Sequence, residues 1–434
     1  MITHSTPGSA RTGGASVRIG ALVPLTPPGW VEAGRHLLAG LELAVREVNE
    51  AGGIGGAAGI DETAGIGETA GVGETAGVGE TAGVDANGTT GTVGTTGTAS
   101  TTSTPGTTDT PGTPATPGGR PLELVVRDTA ADPQRAAAAV EELAGLGVAA
   151  VVGEYHSVVA RSAAAGAAAL GLPYLCSSAV LDTLTDEPTD LVARLAPAQS
   201  HGWRIYGDFL LAAGHRRIAV AAQPSVYWAS GTRVLREHLA PRGGTVVPLD
   251  MAALTPAAVC DALVEQRATA LLLLVGHPDP AVPLVRAVRG DRRLAEILIG
   301  APAGQPEFAT WPASLGDDGA AIPFLRYLPE RLGPLGTRVG RALREQLGEA
   351  PSFVAFEGYD TVTVLADLLR RHGTDRTGIA RSWPHVDTEG TRGRIRLSRV
   401  PGIGVWQWAW PPVQVVDRDP AAPGRFRVLH TGPA

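Results

Sequence analysis

Short apolar runs alternate with segments of helical period along most of this chain, and that alternation limits the possible folds more than any single motif does. Residues 17–23 form an apolar run, and after a Pro/Gly loop Leu37, Leu41, Ala44, Val45 and Val48 fall at helical spacing. A foreign stretch then interrupts the pattern. From 54 to 118 the sequence becomes a hexapeptide GIGETA/GVGETA, in four imperfect copies between Gly59 and Val84, followed by a Thr/Gly/Pro tract. The alternation resumes with strand 122–126, helix 133–146, strand 149–152, helix 159–170 and strand 173–176. This is the rhythm of a parallel sheet with helices on both faces.

A second series predicts strands near 217–222, 245–248, 270–275 and 298–300, separated by helices near 200–213, 232–239, 256–266 and 280–289. Helices 336–347 and 353–372 follow, then a β-rich tail at 394–397, 405–410 and 425–428. The expected fold class is therefore α/β, with two Rossmann-like lobes, and a chain of 434 residues is long enough for two cores. The interrupting stretch cannot bury enough apolar side chain to offset the entropy of ordering its backbone, so it reads as a disordered insert. A hexapeptide β-helix is the alternative, and Gly at two positions of most repeats makes it a poor coil.

Composition removes several function classes. Acidic and basic residues nearly balance at a formal net charge of -7, so nucleic acid is not an expected partner. No lysine occurs; every basic residue is Arg, which excludes a P-loop lysine, a Schiff base and a lysine general base. The histidines are scattered without HExxH, and no GxSxG elbow appears. His156 beside Ser157 is no triad, since neighbours point apart. The GxGxxA match starting at Gly53 follows a helix and enters the insert, so it is no dinucleotide site. No enzyme, metal or cofactor is implied. Cys176 and Cys260 fall in different lobes and read as separate buried thiols. The N-terminus MITHSTPGSARTGGAS lacks an apolar stretch, and no run approaches the roughly 18–20 residues of a membrane span, so the chain as written reads as soluble and unexported.

The order strand, aromatic loop, long helix, AGGIGG turn, strand ending in Asp128, DPQ-started helix and strand entering GEYHS resembles the type I periplasmic-binding-protein superfamily. The nearest branch binds branched-chain amino acids, short amides and urea for ABC transporters. The resemblance covers nearly everything outside the insert and the first fifteen or so residues. It implies two lobes joined by three hinge crossings, near Pro197, Arg326 and Glu389. Lobe 1 is then 17–197 plus 327–388, holding the 54–118 insert; lobe 2 is 198–326 plus 389–434; and 1–16 is a disordered start.

Ligands in open α/β sheets bind beyond the carboxyl ends of strands, where helix N-termini offer free N–H groups. Ser157 fits that position, either as a ligand-binding hydroxyl or as the N-cap of its helix. The resemblance adds that Gly153, Tyr155 and Ser157 match the Gly-x-Tyr-x-Ser loop of the amide-binding branch. It also implies ligand contacts from the loop Ser177, Ser178 and Ala179, from Trp30 over the ligand, and from Tyr227 closing on it. Amino-acid-binding relatives hold the ammonium with carboxylates of the second lobe, where this chain has Gln199 and Ala303. A zwitterion then requires Glu307 or Asp279 to substitute, because an unpaired buried ammonium is costly. Asp128, and Glu357 to Asp360, are expected to be structural. Trp406, Trp408 and Trp410 should share a strand face that packs the tail onto the second lobe.

Two functions fit this reading. One is the solute-binding protein of an ABC importer, with a small-molecule solute and an ABC permease as partners and an extracytoplasmic location implied by the family. The other is a cytoplasmic amide-sensing regulator of the same fold, which the apparent lack of a leader favours.

Overall fold

The computed structural model describes residues 15–55, 118–422 and 424–432; the expectations for the first residues and for the repeats between 59 and 84 fall outside them. The first half begins β1 (Val17–Val23), α1 (Val31–Glu50), β2 (Leu122–Asp128), α2 (Pro133–Gly145), β3 (Ala150–Gly153), α3 (Ser157–Ala169), β4 (Tyr174–Cys176) and β5 (Val192–Arg194). Strands β1 to β5 are mutually parallel; β1, β3, β4 and β5 are largely buried, as near-continuous apolar runs predict, whereas β2, at the sheet edge, is mostly half-buried. Asp132 caps α2 by accepting from the backbone N–H groups of Gln134 and Arg135, with Pro133 at the first helical position.

The second half continues α4 (Gln199–Ala212), β6 (Arg217–Ala222), α5 (Val226–Leu239), β7 (Thr245–Asp250), α6 (Pro256–Glu265), β8 (Ala270–Leu274), α7 (Ala281–Gly290), β9 (Leu298–Gly300), α8 (Thr310–Leu315) and β10 (Phe324–Arg326). Its parallel sheet runs β7-β6-β8-β9. The chain then returns through α9 (Pro334–Leu347), α10 (Phe353–His372) and α11 (Arg376–Arg381). Helix α10 lies against α1 so closely that a Cβ on Gly40 would stand 1.9 Å from the Ala355 carbonyl oxygen, and one on Gly358 2.4 Å from that of Leu37. Glycine at both positions is what lets the two helices touch.

The tail departs from expectation. Strands β11 (Asp387–Gly390), β12 (Gly393–Arg399) and β13 (Trp406–Trp408) join the first sheet, whose order is β11-β12-β13-β5-β4-β3-β1-β2. The expected crossing near Glu389, and the assignment of 389–434 to the second lobe, are therefore corrected. The chain leaves the first sheet only after Trp408, and β14 (Gln414–Arg418) and β15 (Phe426–Thr431) then pair beside β10. The reason is hydrogen-bond pairing: β13 runs parallel to β5, a partner some two hundred residues earlier that local pattern cannot reveal. The three tryptophans do not form a packing face on the second lobe either. Trp408 is buried under the Arg392 guanidinium, Trp406 carries Arg399, and Trp410 lies past the strand end, 71% exposed. Cys176 and Cys260 are buried free thiols in separate cores.

Candidate functional site

The loop from β3 to α3 is built by one buried carboxylate. Gly153 has φ +111°, and a Cβ there would lie 2.1 Å from the Leu22 carbonyl oxygen, so only glycine fits. The next residue, Glu154, is fully buried and accepts from Thr129 Oγ1 (2.6 Å) and from the N–H groups of Tyr155 and His156 (2.8 Å each). Trp30 N–H donates to His156 Nε2 at 3.3 Å, which makes Nε2 the acceptor and leaves Nδ1 to donate to Glu154 at 3.2 Å. Trp30 is fixed through this chain. Asp128 steadies the same region by accepting from Leu25, Thr26 and Ala130. Burial raises its pKa, but these hydrogen bonds, led by Thr26, outweigh burial and hold the carboxyl below its usual range.

Ser157 is the first residue of α3, and His156 holds the N-cap position without a side-chain bond, so Ser157 is not the cap. Its Oγ instead accepts from Val180 N–H (3.3 Å) and Leu181 N–H (3.2 Å), tying the helix start to the loop after β4. The hydroxyl hydrogen is left to donate. The N–H groups of Ser157, Val158 and Val159 precede the first intrahelical bond, from Ala160 N–H to the His156 carbonyl, and all three residues line a cavity of about 770 Å³.

That cavity lies between the two halves. From the first half come Trp30, Tyr155, Ser157, Ser178 and Phe353; from the second come Tyr227, Trp228, His277, Ala303 and Gln305. Contacts cross it. The Trp30 ring stacks on His277 (6.3 Å, 11°) and meets Phe308 at 5.2 Å. Glu32, on the first turn of α1, accepts from Ala309 N–H (2.7 Å) and from Thr310 Oγ1 (2.7 Å) at the start of α8. The described arrangement is thus one in which the two halves already touch.

Of the residues that the sequence singled out, Trp30, Tyr155, Ser157, Ser178, Tyr227 and Ala303 line the cavity. Ser177, Ala179 and Gln199 do not. Ser177 and Ala179 are wholly buried in the β4 loop, where Ser177 Oγ lies 3.2 Å from Ser178 Oγ and the Ala179 carbonyl accepts from Cys176 Sγ at 3.7 Å. Gln199 starts α4 and donates from Nε2 to the Tyr227 carbonyl at 3.0 Å, which orients that tyrosine's backbone. Tyr227 itself sits in the first turn of α5, which begins at Val226 under a Ser225 cap, earlier than the helix start expected at 232. Gln305 and His277 were missed. Both follow second-half strands at their carboxyl ends, and that rule applied to every strand of the series would have found them.

Neither expected substitute for the ammonium-binding carboxylates is available. Glu307 is committed to Arg326 Nε (2.9 and 3.1 Å) and to Phe353 N–H (3.2 Å), and Asp279 is exposed and outside the lining. Glu32 is the only carboxylate among the lining residues, and it is engaged with α8. Burial lowers the pKa of His277 and so favours its neutral form, against a smaller upward pull from Glu32. The wall is therefore aromatic, with neutral hydrogen-bonding groups and a helix N-terminus.

No helix among the described residues is long and apolar enough to cross a membrane. No curated protein matches the chain. Among solved structures it is similar to the leucine-binding protein LivK of Thermotoga maritima, at 17% identity and TM-score 0.70, covering 95% of this chain and 97% of that one. The branched-chain amino acid transporter substrate-binding protein LivJ of Streptococcus pneumoniae, in complex with isoleucine, gives 17% and 0.68, covering 96% and 100%. An ABC transporter solute-binding protein of R. palustris in complex with benzoate gives 15% and 0.68, covering 96% of each. These likenesses establish the shared α/β fold. The family model described as "Periplasmic binding protein" matches residues 16–402, and the chain belongs to that family.

Proposed function

We propose that this protein is the solute-capturing component of an ABC importer, working outside the cytoplasm, and that its cleft takes a small solute with a carboxylate or amide oxygen, a flat apolar body and no ammonium group. One observation carries the reading: the cavity joins the open N-terminus of α3 and the Ser157 hydroxyl to an aromatic wall in which no carboxylate is free. A helix N-terminus favours negative charge or a carbonyl oxygen. An ammonium closed into the same cavity would have no counter-charge and would be expelled. The volume of about 770 Å³ lies within the range of about 300–1,000 Å³ usual for small-molecule sites. The benzoate bound by the R. palustris neighbour has this chemistry, and the isoleucine of the LivJ neighbour does not.

Capture follows from the contacts. The solute oxygen seats on the first turn of α3 and on Ser157, its body lies among Trp30, Tyr155 and Tyr227, and the halves close through Glu32 and the Trp30–His277 stack. The closed form is then what a permease recognises. A thermal-shift panel of benzoate, benzamide, isobutyramide, urea and leucine tests this, because a ligand that binds only the native state must raise the melting temperature. Stabilisation by benzoate or benzamide is expected. Leucine acting at lower concentration than either would overturn the reading.

A further inference from the structure

The segment that brings Trp30 to the cavity has little backbone with which to hold itself. Pro24, Pro27 and Pro28 lack an N–H, so donors remain only at Leu25, Thr26, Gly29 and Trp30. Leu25 and Thr26 donate to Asp128 at 2.7 and 3.3 Å, and Gly29 donates to the Thr26 carbonyl at 3.0 Å, within the loop. The last N–H, that of Trp30 itself, goes to His156 Nε2 at 3.3 Å. Asp128 therefore fastens the start of the segment and His156 its end.

His156 can take that hydrogen on one condition. An imidazole nitrogen accepts only when it carries no hydrogen of its own, so the ring must hold its hydrogen on Nδ1. Glu154 selects that form, because its buried Oε1 lies 3.2 Å from His156 Nδ1. The carboxylate is held in turn, Oε2 by Thr129 Oγ1 at 2.6 Å and Oε1 by the N–H groups of Tyr155 and His156 at 2.8 Å each. The imidazole also stands edge-on to the Tyr155 ring, at 5.3 Å and 87°. A continuous line of contacts thus runs from the residue after β2, through Glu154 and His156, to the backbone of Trp30.

That line ends at the cavity. The Trp30 indole lines it, stacks on His277 at 6.3 Å and 11°, and meets Phe308 at 5.2 Å. We infer that His156 is a positioning residue that sets the preference of the cleft for a flat ring, by holding Trp30 through the tautomer that Glu154 selects. This rests on the function proposed above and deepens it, because it separates the seat of the solute oxygen, on α3, from the part of the site that reads the solute body. A binding geometry is only as definite as the groups that lock its side chains in place. Loss of the His156 acceptor leaves the backbone of α3 in place and frees the indole face on which an aromatic body stacks.

The test is calorimetric titration of the full chain with benzoate and cyclohexanecarboxylate, which share a carboxylate and a six-carbon ring and differ in flatness. Wild type is expected to bind benzoate about fivefold more tightly, the gain usual for an aromatic pair beyond its buried area. In His156→Phe, which keeps a ring against Tyr155 but offers no acceptor, that ratio should fall about threefold or more. In His156→Gln, whose amide oxygen accepts the Trp30 hydrogen, it should return. A merely structural role for His156 would weaken both acids alike and leave the ratio unmoved. His156→Leu serves where the phenylalanine variant does not fold. A wild-type ratio near one, a ratio unmoved by loss of the acceptor, or no recovery in His156→Gln overturns the assignment, while binding of either acid leaves the general reading standing. If neither acid binds to wild type, the general reading falls and takes the assignment with it.

Discussion

Substituting Glu357 by Gln probes the most unusual charge arrangement in the protein. Glu357 and Asp360, both on α10, are fully buried and share one cation: Arg392 donates from Nε to Asp360 (2.8 Å) and from Nη1 to Glu357 (3.2 Å). Asp360 also accepts from Thr391 N–H and Oγ1, so it is the better-served of the two carboxylates. Glu357 is left with Oε2 unpaired. Burial drives its pKa up, Arg392 and the Ser178 hydroxyl pull it down, Asp360 raises it further, and the carboxyl is pushed up to about 7. A midpoint moved from 4.5 to about 7 means that folding favours the neutral form by about 3 kcal/mol. The sign follows from linkage. With the folded value above the unfolded one, the unfolded chain releases the proton first. The contribution is therefore complete below pH 4.5 and disappears as pH rises through about 7.

His201, His215 and His277 have pKa values lowered by burial and act in the opposite sense, so the wild-type curve alone is uninformative. The difference between wild type and Glu357→Gln isolates the carboxyl, because the histidines cancel. Urea unfolding at steps from pH 4.5 to 8 should show wild type losing about 3 kcal/mol relative to the variant. A difference that changes by less than about 1 kcal/mol over that range would refute the reasoning, since that is close to the resolution of the extrapolation.

Ser157→Ala removes the acceptor for two loop N–H groups together with the hydroxyl that faces the cavity. Stability should fall by about 1–3 kcal/mol, and the affinity for benzoate or benzamide by more than tenfold; unchanged binding by calorimetry would remove Ser157 from the site. Glu32→Ala deletes the hydrogen bonds between α1 and α8. It should raise the dissociation rate of the same probes about tenfold with little change in association rate, and should enlarge the ligand-free radius of gyration in solution scattering. An unaltered off-rate and radius would show that Glu32 does not hold the halves together.

Much of the architecture was legible because parallel strands buried on both faces write themselves as apolar runs, and the helices between them keep their period. What escaped was pairing at long range. A strand such as 393–399 alternates in the same way whichever sheet it joins, and only hydrogen bonds through β13 to β5 assign it. The site divides along the same line. Trp30, Tyr155 and Ser157 stand at strand ends in recognisable loops, whereas Gln305 becomes visible only once Val275 is seen to occupy half of its amide. Glu307, named in the sequence only as a substitute that a zwitterion would require, is taken by Arg326, a pairing that local pattern does not show.

The pairing of Ile54 with Arg120 has a practical use. Each residue's N–H donates to the other's carbonyl at 2.8 Å, so the two ends from which residues 55–119 depart are fastened together on the protein itself. Chain added between ends already clasped costs only a logarithm of its length, roughly 0.6 kcal/mol for each doubling. This position is therefore a natural port, where a fluorescent domain, an affinity handle or new chain termini can be installed while the cleft keeps its geometry.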